Sequence, residues 1–261
     1  MTKLLSAIGL LLLMSADSVM AGSGHYWRLG VAGEDSRDAT FLDRDCDPAG
    51  QAALFGCIDG QDGEAIGARG DFGRSLGIQL ARGMHIGEAW RAELEVAYHH
   101  GFDFEGNANF LDAGEHQPVE ASVSHARAGV NVYLDLAAAF ARDAAAFEPY
   151  LGAGVNAVRN RLGTMTYSFP QLGNQPALTT VPGDSEIGLG WMVTLGTGIE
   201  LSPRNLLDIG ISWHDHGRVE TAAGDIDIIR GGDTIARVGV GATGSRLETV
   251  GVMVAWRHYI R

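Results

Sequence analysis

Glu186-Ile187-Gly188-Leu189-Gly190-Trp191-Met192-Val193-Thr194-Leu195-Gly196-Thr197-Gly198-Ile199-Glu200-Leu201 carries large apolar residues at its odd positions and glycine or polar residues at nearly all its even ones. A period of two is the signature of a strand with one apolar face. The pattern recurs on both sides. His25–Gly33 opposes Trp27, Leu29 and Val31 to Arg28 and Gly30, and Ser75–Gly83 opposes Leu76, Ile78 and Leu80 to Gly77, Gln79 and Ala81. Ala89–Phe102, Ala121–Leu136, Pro149–Arg161, Leu206–His216 and Leu247–Ile260 repeat it, making eight segments in all.

Such a sheet turns its apolar face either to a protein core or to lipid. In a secreted sandwich the polar face meets water; in a membrane barrel the polar, Gly-rich face lines the interior. Three observations favour the barrel. All five tryptophans, Trp27, Trp90, Trp191, Trp213 and Trp256, share the apolar phase and divide between the two ends of the segments, as two interfacial belts require. Connections alternate between short ones, such as Ser202–Asn205, and long ones at 34–74, 103–120, 162–185 and 217–246. An even strand number closes without an edge, and lipid leaves open backbone groups no partner. Ala137–Phe147 is Ala-rich and is read as a helical turn.

The predicted fold class is therefore all-β: an eight-stranded antiparallel up-and-down transmembrane β-barrel with long external loops. Residues 1–21 read as a cleaved signal peptide, with Lys3 before an apolar run from Leu4 to Met14 and a small-residue site at Val19-Met20-Ala21. Residues 22–261 form the barrel domain, and no second domain is expected. In an exported chain Cys46 and Cys57, the only cysteines, are expected to form a disulfide stabilising a small loop by about 3 kcal/mol. A formal charge of −13 argues against a nucleic-acid partner.

Tyr26-Trp27-Arg28-Leu29-Gly30 as opening strand, Pro149-Tyr150-Leu151-Gly152-Ala153-Gly154-Val155 in mid-chain and Val250–Ile260 as closing strand carry a resemblance. The chain is similar to the eight-stranded outer-membrane barrel superfamily: the opacity-type porin-like surface proteins and the transmembrane domain of outer membrane protein A. The resemblance implies a Gram-negative outer-membrane protein inserted by the barrel-assembly machinery. It also implies contact with lipid and lipopolysaccharide, and a role in envelope integrity or loop-mediated adhesion to an extracellular partner. The chain departs from the pattern by ending Ile260-Arg261, where members usually end on an aromatic residue. A monomer without cofactor is expected.

Arg28, Arg91, Glu93, Glu95, Arg127, Asp135, Glu200, Asp208 and Arg257 fall on the inward phase. Both signs are present, so they are read as a compensated network filling the lumen; a narrow passive channel is the alternative. Ser212, His214 and His216 share the inward face, near Asp215 and Glu220, which are the residue types of a barrel hydrolase acting on lipid A. Ser212 nevertheless points away from lipid, and no catalytic residue is assigned. His214 and His216 alone are an incomplete metal site. Asp43, Asp45 and Asp47, followed by Asp59, Asp62 and Glu64, are weak candidates for a divalent cation, because Pro48 and Leu54 break the calcium-loop template.

Overall fold

Each strand of an alternating segment needs a neighbour on both sides, and closure supplies it. The structure, a computed structural model, describes residues 24–47, 49–60, 63–109, 117–140 and 147–260. The leader at 1–21, Asp62 and Arg261 lie outside the described residues. In chain order the strands are β1 (His25–Ser36), β2 (Asp38–Asp43), β3 (Ala68–Asp71), β4 (Arg74–Ile86), β5 (Trp90–Ala108), β6 (Pro118–Asp135), β7 (Phe147–Leu162), β8 (Met165–Ser168), β9 (Ala177–Val181), β10 (Ser185–Ser202), β11 (Asn205–Glu220), β12 (Gly224–Arg230), β13 (Asp233–Val240) and β14 (Thr243–Tyr259). One helical turn, α1 (Leu136–Ala139), follows β6.

Eight of these close a ring of antiparallel neighbours in the order β1, β4, β5, β6, β7, β10, β11, β14 and back to β1. The register puts Val31 level with Val254 on one side and Ile78 on the other. Outside, Leu29, Val31, Ile78, Val130, Val155, Leu189, Leu195, Ile211 and Val252 are all more than half exposed. This is an apolar belt on a closed wall. Inside, charged and polar side chains are buried, the inverse of a water-soluble protein.

The four long connections are not the loops expected from the sequence. They contain β2, β3, β8, β9, β12 and β13, and β5, β6, β11 and β14 run on into the same region. The added strands pair from β14 through β2 and β3 to β5, and from β6 through β8, β9 and β12 to β13. They wrap an apolar core that includes Phe41, Phe55, Phe72, Phe102, Phe104, Met165, Tyr167 and Leu247. Burying a Phe or Met side chain stabilises by about 1.5–3 kcal/mol, and this holds the outer lobe folded in water.

The change of environment is built into the strands. In β5, Arg91, Glu93, Glu95 and His99 are buried at odd positions, but a bulge between His100 and Phe102 puts Phe102, Phe104 and Ala108 inward at even ones. Gly101 sits at this bulge with φ +84°, a conformation glycine adopts without strain. β11 repeats the device between Asp215 and Arg218, with Gly217 at φ +73°, turning Val219 into the outer core. Below the bulges polar residues face inward and apolar ones face lipid. Above them the phases exchange, because the solvent outside is water.

Candidate functional site

The lower lumen is packed with ion pairs contributed by facing strands. Arg28 on β1 donates to Glu93 (2.7 Å) and Glu95 (2.6 Å) on β5, and Arg127 on β6 pairs with Glu95 (3.0 Å). Nearer the end with the short turns Arg91 pairs with Asp135 (2.8 Å) and Arg257 with Asp208 (2.7 Å). The Arg91 guanidinium also lies 4.9 Å over the Tyr133 ring and 5.0 Å over that of Tyr150. All these charged groups are buried. Glu200, assigned to the inward set from its phase, is exposed. It adjoins a register irregularity at the β10–β11 turn, where the strand no longer aims its side chains into the lumen.

Above this network, at the height where the wall changes from lipid-facing to water-facing, the side chains change character. His99, His125 and Asn160 stand in register across β5, β6 and β7, and all three are buried. Glu34, at the upper end of β1, joins them from the other side. It pairs with Arg127 (3.3 Å), and its second oxygen meets His216 Nε2 (2.8 Å) and accepts a hydrogen bond from the Thr249 hydroxyl (2.7 Å). His99 Nε2 lies 3.3 Å and His214 Nε2 3.7 Å from the first oxygen. The His214 and His216 rings are stacked, and the His125 ring centroid is 4.1 Å from that of His216. Asn160 bonds His125 Nδ1 at 2.7 Å. Among the described residues Glu34, His214 and His216 are the group whose donor atoms lie close enough together, within 4.8 Å, to share a metal ion.

Glu34 and His125 were not singled out from the sequence. The alternation of β1 continues past Gly33, so Arg28, Gly30, Ala32 and Glu34 share one phase; extending the strand by a single residue reaches the carboxylate.

The other candidates are dispersed. Ser212 lies 2.9 Å from His214 Nε2, but the Glu34 carboxylate faces that same nitrogen and so does not orient the ring through its other nitrogen, as a nucleophile–base pair needs. Asp215 is engaged with Arg246 and the Gly217 amide, and Glu220 with Arg44 (2.5 Å). Asp43 accepts the amides of Phe55 and Cys57, Asp45 that of Asp47, and Asp47 that of Ala49. These carboxylates shape their own turns and do not converge on a cation. Cys46 and Cys57 are disulfide-bonded. Trp27, Trp90 and Trp256 lie at the end of the wall with the short turns; Trp27 is half-buried, with the Arg82 guanidinium 5.4 Å over its ring. Trp191 and Trp213 touch edge-to-face at the opposite rim, their centroids 4.1 Å apart.

The backbone matches the outer membrane protein OprG from Pseudomonas aeruginosa over 90% of this chain and 95% of that one, at a TM-score of 0.51 and 15% identity. The fold is that of an outer-membrane β-barrel. Neisserial surface protein A is also similar (14% identity, 90% of this chain and 99% of that one, TM-score 0.34), as is a major outer membrane protein from Thermus thermophilus (11%, 90% and 100%, 0.39). No protein-family model matches the sequence, and no curated protein matches it. The apolar belt of this barrel suits a wall set against lipid.

Proposed function

We propose that this outer-membrane barrel is a closed, monomeric scaffold that holds a folded lobe at the cell surface, with a structural or surface-interaction role. The observation that carries the reading is double closure. Among the described residues paired buried charges occupy the barrel and an apolar core fills the outer mouth, which supports an interior closed to solutes. Eight strands enclose an interior that side chains can fill. Export through the 1–21 leader, insertion by the barrel-assembly machinery of a Gram-negative cell, and lipopolysaccharide around the Trp191 and Trp213 rim belong to this proposal. So does recognition of a partner by the outer lobe, since interaction surfaces concentrate on such exposed connections.

Single-channel recording in planar bilayers tests it. The proposal expects no conductance above the bilayer background for the refolded protein. Reproducible steps that persist across preparations would instead make it a narrow passive channel.

A further inference from the structure

We infer that Glu34, His214 and His216 form a binding site for a divalent transition-metal ion of the zinc class, buried where the polar lumen meets the apolar outer core. The inference goes beyond the closed-scaffold reading and stands whether or not the barrel conducts.

Charge is the first argument. Arg28, Glu93, Glu95, Arg127 and Glu34 form one continuous chain of ion pairs, with three carboxylates against two guanidiniums, all buried. One negative charge is left over, at the end of the chain where the imidazoles gather. A buried charge needs a partner, and a cation held beside Glu34 supplies it.

Donor chemistry is the second. Two imidazoles and one carboxylate are a three-ligand set that zinc accepts, with a fourth position open. His214 and His216 are two residues apart on the inward face of β11, so the strand alone brings them together. Four-coordinate zinc holds such donors roughly 3.4 Å apart. The observed spread of up to 4.8 Å closes by small side-chain rotations. A metal-bound imidazole nitrogen carries no proton, so as the ion binds any proton on His216 Nε2 moves to Nδ1 of the same ring or leaves to solvent.

The surroundings are the third. Thr249 holds the Glu34 carboxylate, and a partner of this kind orients a ligand around a metal ion; the Ser212 hydroxyl, 2.9 Å from His214 Nε2, gives way to the ion on that nitrogen. His99 is fully buried, and neither of its ring nitrogens has a hydrogen-bond partner, although Nε2 lies 3.3 Å from Glu34. It is a spare donor beside Glu34 for the fourth position, as is His125 Nε2, which is likewise buried without a partner. Gly251 lies level with Glu34 on one side and with Ser212 on the other, and its missing side chain leaves the gap through which the carboxylate leans toward β11.

The test uses the mature chain without a polyhistidine tag, refolded into detergent in the presence of Zn²⁺, washed with chelator and assayed by elemental mass spectrometry. Folding of every sample is verified by heat-modifiable gel migration. About one zinc per folded native chain is expected. A drop of at least ten-fold is expected in Glu34→Gln and in the double variant His214→Ala/His216→Ala, with none in His258→Ala, whose ring bonds Asn205 at the end with the short turns. Refolding the native chain with Co²⁺ should give the visible bands of a four-coordinate, nitrogen-ligated ion, a readout that needs no variant to fold. A folded native chain that retains no ion and shows no such bands overturns the site. Equal zinc retention in the folded variants overturns the ligand assignment.

Discussion

Gly251 stands level with Glu34 on the neighbouring strand, and a Cβ built on it would lie 2.7 Å from Glu34 Cγ. The buried carboxylate therefore occupies space that only glycine leaves free. Gly251→Ala forces Glu34 away from Thr249 and His216, and each hydrogen bond to a charged group contributes about 1.5–3 kcal/mol. We expect a loss of about 2–3 kcal/mol in urea unfolding from detergent or vesicles. Gly188→Ala is the matched control, because its nearest neighbour, Val158 Cγ2, is 3.9 Å away.

Arg28 touches two carboxylates, so its removal strands both. Arg28→Met should destabilise the barrel by about 3–5 kcal/mol, the usual cost of breaking a buried pair from one side. Adding Glu93→Met to it should restore part of that loss. Equal stability of the single variant and the native chain, measured by denaturant midpoint, would contradict a filled lumen.

Phe104 is fully buried, its ring 5.0 Å from that of Phe41 and 5.3 Å from that of Phe72. Phe104→Ala should cost about 3–5 kcal/mol, and the damage should stay in the outer lobe. We expect rapid proteolysis within residues 37–73 on intact cells while the barrel keeps its heat-modifiable migration. Cleavage at the native rate would show that the lobe does not depend on this core.

Tyr167 lies in the same outer core, where burial pushes its phenol above the ordinary tyrosine value and the Asp43 carboxylate adds to the shift. The raised value means the neutral form is favoured when folded. That stability is fully present below the unfolded value of about 10 and is lost as pH rises through the folded one. Protease resistance of the lobe should therefore fall above about pH 10. Tyr167→Phe should weaken that fall, at the expense of the hydrogen bond to Met165 (3.0 Å).

The Cys46–Cys57 bridge closes a loop with a sequence separation of 11. Its removal in Cys46→Ser/Cys57→Ser should cost about 3 kcal/mol, read as faster surface proteolysis around residues 44–60 with the barrel strands intact.

The outward wall was legible residue by residue. Leu29, Val31, Trp191, Leu195 and Val252 could be assigned from alternation, since a strand's side chains change faces at every step regardless of its partners. The inward charges followed from the same rule, except Glu200, where the strand loses regularity at its turn. The outer lobe was not legible. Phe102 and Phe104 follow the phase reset at Gly101, and a bulge leaves no periodic trace in a single sequence; Phe41 lies in β2 and Phe72 just after β3, strands too short to show a period.

Taken alone, the sequence determined that this chain makes eight lipid-facing strands, because that choice depends only on local period and on which residues share a phase. The tertiary structure decided what the interior contains. Glu34, His99, His125, His214 and His216 come from four strands far apart in the chain, and only the closure of β14 on β1 sets the register that joins them. That the interior changes from ion pairs to phenylalanines where the outer solvent changes from lipid to water was likewise decided in three dimensions, because it depends on which residues meet across the barrel.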